Sequence, residues 1–519
     1  MSSTPSTRRP KELGLLLLLF VVSLALRLPA AVQPPAPWVY DSDELVFLGS
    51  LLGLLGGETP HALQWPAATL HLALLPFVLL HFALTAEALW PAIAATDPYA
   101  FADALTLYLG NAFYDPLSLL VPMRILLAGA TSFTAPLAFH YLPARFDRGE
   151  RLMAALVLAS SPVLVRQTAL VKGDSLGLLF WTLALTLLLA RDRPPQRTMA
   201  ARRAAILSAL HLGLATASRL TLLAAWPLLP LYAWWTGPRR QLIRIASLSL
   251  GAFALPILIF LPFFWTQPFT FLKAVLGNVL LLSRQDGGGQ SLTALLVKMI
   301  ALAGPVAIVL AVAGLAMLWR RRERRDLAAL TTVAFVLFLI PLARSGHLPP
   351  HYTLPFLPIL SLWCGVGAAT VTRWATRTRP GAARPLLLAL AGAVIAVNTV
   401  DVFGWHRAMQ RPVSKVGVAE WLVDNTQATE RLAMPTILAT YLPPNKTALE
   451  EILRRYREQP ASATARLPGL LGAVGSRSAT TREPSFLLDA WLIDDEAIDI
   501  FRYRAMRHAA IAGAAPPNA

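Results

Sequence analysis

Three acidic residues, Asp41, Asp43 and Glu44, follow the first apolar segment in the stretch YDSDELVFLGS. No Lys or Arg occurs between Leu28 and Met123, so no cation of this segment neutralises them. Carboxylates at a membrane surface can ionise, bind a metal ion or accept a proton from a hydroxyl group as a general base. Acids also favour the solvated N-termini of helices. These three residues alone therefore leave a structural and a catalytic interpretation open.

The composition is that of a polytopic membrane protein. Of 519 residues, 55% are hydrophobic and only 14% are charged, against about 25% charged in soluble domains. The formal net charge is +17, but the Arg residues form short clusters between apolar runs. Membrane topology explains that arrangement better than nucleic-acid binding does. Cys364 is the single cysteine, which excludes an intrachain disulfide.

Apolar runs predict about eleven membrane spans, at about 20 residues per span. The first is interpreted as a retained helix and not as a cleaved signal peptide. Arg clusters fall on alternate loops, which places the N-terminus in the cytoplasm and, with an odd number of spans, the C-terminus outside. The predicted spans are 13–29, 124–142, 153–171, 175–190, 204–218, 220–236, 245–262, 297–319, 327–342, 353–371 and 385–403.

Residues 66–85 are apolar enough to span, but counting them would invert the charge alternation of every later loop. They are therefore expected to lie in the interface, as is segment 97–115. The predicted fold is α-helical and polytopic: a transmembrane module, 1–403, whose large first outer loop, 30–123, carries interfacial helices. The polar tail, 404–519, is expected to form a small extracytoplasmic α/β domain.

Several cations lie on the predicted outer side, against the orientation signal, and a charge facing lipid there is costly. Each one alone is explained by a side chain that reaches the membrane surface. Together, beside an acid-rich loop, they suggest an anion-binding cavity, and Arg offers phosphate a two-pronged donor. The candidate phosphate-binding residues are Arg27, Arg124, Lys172, Arg219, Arg284 and Arg344.

Two further outer segments carry candidate site residues. Asp174 begins an apolar helix, so it is expected either to cap that helix or to act in the site, and Lys172 could neutralise it. The loop SGHLPPHYTLPFLPIL contains His347, His351 and Tyr352. Pro349 and Pro350 make a helical metal-binding His pair improbable. These three residues, with Asp41, are predicted to line a substrate.

The order of these features resembles GT-C glycosyltransferases of family 39 type, which include protein O-mannosyltransferases and aminoarabinose transferases. The resemblance covers most of residues 10–403. His351 stands where the family pattern has Arg. The resembling features are, in chain order, Arg27, the Asp43-Glu44 pair, Arg124, RFDRGERLMAALVLASSPVLVRQTALVKGD, GLATASRLTLLAAWPLLPL and HYTLPFLPIL.

This resemblance implies a polyprenyl-phosphate-linked sugar as donor and a hydroxyl of a glycan, lipid or protein as acceptor, in the membrane of a bacterial cell. It implies that Asp43 is the general base, that Glu44 orients it, and that Asp174 supports the acceptor or the base. Displacement by the activated hydroxyl would invert the anomeric centre. No cofactor is expected; the acidic triplet could bind a divalent metal, although the resembling family favours none.

Two other functions remain open. A transporter or flippase for a lipid-linked anion would also place charges within the membrane, but neither inverted repeats nor interrupted helix pairs are evident in the sequence. An outer-face scaffold that binds a partner through its tail would leave the acids and outer cations unexplained. Nucleic acid is not an expected partner.

Overall fold

The computed structural model describes a set of helical segments. The described residues are 8–32, 73–85, 117–143, 145–168, 170–190, 198–236, 242–261, 263–269, 291–344, 349–379 and 381–409, with Leu51, Trp90, Pro91, Tyr108, Phe271 and Leu272. The acidic triplet and residues 410–519 of the predicted tail domain lie outside them, whereas residues 404–409 continue the last transmembrane helix. The prediction of a mainly helical membrane protein is confirmed, and no strand occurs among the described residues.

The described part of the chain consists of α-helices and short 3₁₀ helices. Sixteen α-helices are numbered here in chain order, and three 3₁₀ helices, Leu220–Ala225, Arg322–Arg324 and Pro350–Phe356, lie between them. The α-helices are α1 Arg8–Val32, α2 Leu75–Thr85, α3 Leu117–Ser132, α4 Thr134–Tyr141, α5 Arg148–Ser160, α6 Pro162–Thr168, α7 Gly173–Leu189, α8 Thr198–Ser218, α9 Leu228–Thr236, α10 Leu242–Phe260, α11 Phe263–Thr266, α12 Leu292–Ala303, α13 Pro305–Arg320, α14 Arg325–Arg344, α15 Leu357–Thr378 and α16 Ala383–Met409.

Six helical segments in the described part of the chain are long and apolar enough to cross a membrane, and the bent pair α12–α13 makes a seventh if it counts as one span. The other predicted spans are helical but shorter, broken or more polar. Helix α2 has only 11 residues, or about 16 Å, which is too short to cross the bilayer. The six are Glu12–Val32, Leu119–Tyr141, Ile243–Phe260, Arg322–Arg344, Pro350–Arg377 and Ala383–Arg407.

Two predicted spans are not single straight helices. The span 297–319 bends by 106° between α12 and α13, where Gly304 has a φ of +87° and Pro305 begins the next helix. The span 153–171 divides at Ser161, just before Pro162. Each proline lacks an N–H and disfavours helical backbone in the residue before it, so each ends the preceding helix.

Buried polar side chains satisfy the backbone at these breaks. Ser161 Oγ donates to the carbonyl of Leu302 over 2.6 Å. Asn398 Nδ2 donates to the Ala303 carbonyl and to Ser160 Oγ, each over 3.1 Å. Because lipid offers no hydrogen bonds, irregular backbone at membrane depth needs such partners inside the protein. Helix α16 therefore joins the two breaks.

The chain divides into two compact units: residues 1–32, 64–71 and 124–406 form the first, and the remainder forms the second. Within the first unit, α13 and α15 approach closely at Gly314 and Gly367. A Cβ at Gly314 would meet the Trp363 carbonyl, and one at Gly367 would meet that of Leu310. Small residues permit such backbone contact between membrane helices. Within the second unit, Tyr108 packs on Phe82 at 5.0 Å.

Candidate active site

Three of the predicted site residues meet in the first unit: Asp174, Arg219 and Tyr352, here called the outer cluster. The Arg219 guanidinium forms an ion pair with the Asp174 carboxylate, and the two side chains are 12% and 6% exposed. The same guanidinium lies 4.8 Å from the centre of the Tyr352 ring. The segments that supply the three residues are far apart in the sequence, so folding alone assembles this cluster.

Local backbone structure fixes the position of Arg219. Its N–H donates to the Ala215 carbonyl over 2.8 Å at the end of α8, and the residue itself caps the following 3₁₀ helix with extended backbone. Its Nε donates to Thr221 Oγ1 over 2.9 Å. Gly177 of α7 lets this corner approach, since a Cβ there would lie 3.2 Å from Arg219 Cβ. The guanidinium is thus directed towards the start of α7.

Asp174 lies in the first turn of α7 but does not cap it. The N-cap is Lys172, which has extended backbone and makes no side-chain cap hydrogen bond. The capping interpretation of Asp174 was therefore wrong, because the helix begins at Gly173, two residues earlier than that role requires. Lys172 is also buried, at 3% exposure. An acid near a helix N-terminus gains from the helix dipole, and this position also leaves its carboxylate available to Arg219.

Tyr352 belongs to the 3₁₀ helix Pro350–Phe356, here called the Tyr352 turn. Its N–H donates to the Pro349 carbonyl over 3.0 Å, and its ring stacks with that of His351 at 4.9 Å. Thr353 Oγ1 donates to the Pro350 carbonyl over 2.6 Å. The prolines and these bonds restrict the backbone within the turn.

The outer cluster combines a carboxylate, a guanidinium and a phenol in a largely buried setting. A guanidinium in low dielectric attracts an anion more strongly than one in water. Preorganised donors of this kind stabilise charge that develops on a departing phosphate. The Asp174 carboxylate competes for the same cation. Chemically, the cluster is suited to binding an anion in exchange for an internal carboxylate.

The other predicted site residues are distributed differently. Arg27 is fully buried, and its guanidinium donates to the carbonyls of Ser23, Ala159 and Leu158 over 2.7, 3.0 and 3.3 Å and also to Ser23 Oγ. Arg27 thus caps the C-terminal end of α5, and a phosphate contact stays a prediction.

Arg124 is fully buried, whereas Arg344 is exposed at the end of α14. Asp41, Asp43, Glu44, Arg284 and His347 lie outside the described residues.

A second set of charges, here called the inner cluster, lies at the opposite end of α7. Arg324 donates to both carboxylate oxygens of Glu150 over 2.8 and 3.0 Å, and Arg373 reaches Glu150 over 3.2 Å. Glu150 is only 1% exposed and forms a capping box with Asp147. Arg145 ties this cluster to the end of α7 by a 2.6 Å bond to the Leu189 carbonyl.

The two clusters support the charge-based topology of the loops involved. Helix α7 has 17 residues, so its ends lie about 25 Å apart. Residues from three predicted cytoplasmic loops meet at one end, and residues from three predicted outer segments meet at the other. The positive-inside rule predicts that the Arg-rich end faces the cytoplasm.

Metal ligands do not gather in the part of the chain that the structure describes: no three His, Cys, Asp or Glu side chains there could hold one ion. The acidic triplet lies outside those residues. Sequence reasoning also missed two residues that organise the site, Thr221 and Trp181. Trp181 follows Asp174 by seven residues, a spacing that places both on one helix face.

Comparisons with known proteins give structural similarities only. No family model matches the chain, and no curated protein matches its sequence. The oligosaccharyltransferase AglB from Archaeoglobus fulgidus, solved with an inhibitory peptide and a dolichol-phosphate, is 11% identical, with a TM-score of 0.49 over 91% of this chain. This chain spans 64% of the AglB chain.

ArnT from Cupriavidus metallidurans, bound to undecaprenyl phosphate, is 14% identical, with a TM-score of 0.49 over 93% of this chain and 90% of its own. The apo form of ArnT gives 14% identity and a TM-score of 0.48, over 83% of this chain and 84% of its own.

Proposed function

We propose that this protein is a membrane glycosyltransferase of the GT-C class, family 39 type, that uses a polyprenyl-phosphate-linked sugar. The observation that carries the proposal is the outer cluster, in which Arg219 lies between the Asp174 carboxylate and the Tyr352 ring. A largely buried cation at the outer ends of membrane helices is suited to a lipid phosphate, because the lipid tail can remain in the bilayer. The acceptor hydroxyl belongs to a glycan, lipid or protein.

The chemistry requires a stabilised leaving group and a base. The bond from the anomeric carbon to the phosphate oxygen breaks, and the bond to the acceptor oxygen forms from the opposite face. Arg219, with the other outer cations, stabilises the polyprenyl phosphate that leaves. The acceptor proton passes to the proposed base, Asp43, whose neighbours Asp41 and Glu44 favour proton uptake because they carry like charge. Metal is not required for this step.

The most direct test of the base is Asp43→Asn in purified protein supplied with a polyprenyl-phosphate sugar. This change keeps the shape of the side chain and removes the proton acceptor. General bases contribute about 10²–10⁴-fold, so turnover should fall at least about 100-fold while the protein stays folded. The matched control is Asp41→Asn, which should lose much less. Normal transfer by Asp43→Asn with loss in Asp41→Asn would reassign the base.

The sugar and acceptor are best identified by comparing lipid extracts and envelope glycans of a deletion strain and its parent. A missing modification, with accumulation of an unused lipid-linked sugar in the deletion strain, is the expected result. Identical extracts under all growth conditions tested would count against glycosyl transfer.

Transport of a lipid-linked anion is the second candidate function. The broken helix pairs at Ser161 and Gly304 favour it, since transporters place discontinuous helices around their sites. Reconstituted vesicles with a labelled lipid-linked sugar distinguish the two functions. A transferase releases polyprenyl phosphate when acceptor is present, whereas a transporter moves the intact lipid between leaflets without acceptor.

A further inference from the structure

Trp181 connects the helix that carries Asp174 to the turn that carries Tyr352. Its indole Nε1 donates to the Pro355 carbonyl over 2.9 Å, across 174 residues of sequence. Trp181 is fully buried, and a buried indole N–H needs such an acceptor. The bond therefore joins α7 to the Tyr352 turn within the first unit.

The donor Trp181 and the acceptor Pro355 each lie on the same helix face as a residue of the outer cluster. In an α-helix of about 3.6 residues per turn, positions 174, 177 and 181 share one face, and Gly177 is where Arg219 approaches α7. In a 3₁₀ helix of about three residues per turn, Tyr352 and Pro355 lie one above the other. Anchoring Pro355 to Trp181 thus sets the position of Tyr352 relative to Asp174 and Arg219.

An aromatic cluster holds the indole in place. The Trp181 ring meets Phe338 of α14 edge-on at 5.4 Å, and Phe338 contacts Phe356 of the Tyr352 turn at 6.1 Å. Phe356 is fully buried. Trp181→Phe would keep most of this apolar contact and remove only the hydrogen bond to Pro355.

We propose that Trp181 is a positioning residue for donor binding: its bond to Pro355 holds Tyr352 beneath Arg219 so that the guanidinium faces the lipid phosphate. This inference rests on the proposed function for the identity of the anion. It assigns to Trp181 a role that is exerted through the Tyr352 turn. A neutral hydrogen bond contributes about 0.5–1.5 kcal/mol, so the expected effect on donor affinity is about threefold to tenfold.

The chain supplies a matched control in Trp363. Its Nε1 donates to Thr331 Oγ1, also over 2.9 Å, and its ring lies 5.3 Å from Phe335. This bond joins α15 to α14 and not to the Tyr352 turn. Trp363→Phe and Trp181→Phe therefore each remove a 2.9 Å bond from a buried indole, and only Trp181→Phe should disturb the turn.

The first measurement follows the turn without any ligand. Full-length protein with His351→Cys, in a Cys364→Ala background, is labelled with a thiol reagent in detergent. Trp181→Phe should raise the labelling rate several-fold, whereas Trp363→Phe should leave it within about twofold. An unchanged rate in Trp181→Phe, or an equal increase in both variants, overturns the proposed role.

The second measurement is the affinity for undecaprenyl phosphate. Trp181→Phe should weaken binding about threefold to tenfold, and should have no further effect in a Tyr352→Ala background, because it acts through that residue. Additive losses overturn the positioning role. If wild-type protein binds no undecaprenyl phosphate although the labelling difference is observed, the proposed function and the donor-binding role are overturned. The role of the Trp181 bond in holding the turn is then still supported.

Discussion

The inner and outer clusters both pair a buried carboxylate with Arg, yet their surroundings differ. Glu150 receives bonds from Arg324 and Arg373 and also accepts the N–H of Asp147 over 3.1 Å. Its carboxylate oxygens are thus held by side chains of two distant helical segments and by its own helix cap. Asp174 is paired with Arg219, which also contacts the Tyr352 ring and Thr221.

This difference indicates which ion pair can exchange partners. A carboxylate held by two guanidiniums and a backbone N–H loses several bonds if it moves. We propose that a phosphate replaces the Asp174 carboxylate at lower cost, because Arg219 is its ion-pair partner and no second guanidinium bond is seen for it among the described residues. A buried ion pair alone therefore does not mark an active site; the inner cluster joins loops, and the outer one is suited to ligand exchange.

The largest expected effect comes from breaking the inner cluster. Arg324→Ala leaves the buried Glu150 carboxylate without one of its two guanidinium partners. Removing one partner of a buried ion pair costs about 3–5 kcal/mol of folding stability. We expect poor expression or a strongly lowered melting temperature in detergent. The matched control is Arg322→Ala, an exposed residue of the same 3₁₀ helix, which should melt as the wild type does. Equal melting temperatures of the two variants would show that the inner cluster does not stabilise the fold measurably.

A more specific effect is expected from Asp174→Asn in the outer cluster. If the carboxylate and the donor phosphate compete for Arg219, removing the charge should lower the apparent KM for the lipid donor a few-fold. Since Asp174 is also proposed to support the acceptor or the base, kcat should fall. Steady-state kinetics with varied donor checks both changes. A raised donor KM would show that Asp174 helps to bind the donor and does not compete with it.

The smallest effect is expected at the ion pair Arg166–Asp401, which also lies on the predicted outer side. The charged groups are 2.9 Å apart, but the side chains are 30% and 51% exposed. Exposed pairs contribute about 0–1 kcal/mol, and salt screens them. Asp401→Asn should change neither donor KM nor melting temperature measurably. A clear loss of donor binding would extend the site to the end of α16.

The sequence predicted much of the architecture because its signals are local. Apolar runs predict helices, and Arg clusters predict the side of the membrane on which a loop lies. The break before Pro305 could also have been predicted from its Gly-Pro pair. The capping box could have been predicted from the spacing of Asp147 and Glu150. These features depend on residues within one turn of each other.

The pairing of side chains could not be predicted in the same way. Arg27 was named as a candidate for phosphate, but its hydrogen bonds go to carbonyls left open where α5 ends. Asp174, Arg219 and Tyr352 were each named, yet only the fold brings them together, because their contacts depend on how α7, α8 and the Tyr352 turn pack. The bond from Trp181 to Pro355 has no sequence signature.

The central claim is that the outer cluster binds the lipid phosphate and the inner cluster does not. It is tested most directly by measuring undecaprenyl phosphate binding to folded Arg219→Ala and Arg324→Lys proteins. Loss of a charged donor costs about 1.5–3 kcal/mol, so Arg219→Ala should weaken binding at least about tenfold, while Arg324→Lys stays within about twofold of wild type. Wild-type affinity in Arg219→Ala, or an equal loss in both proteins, would contradict the claim.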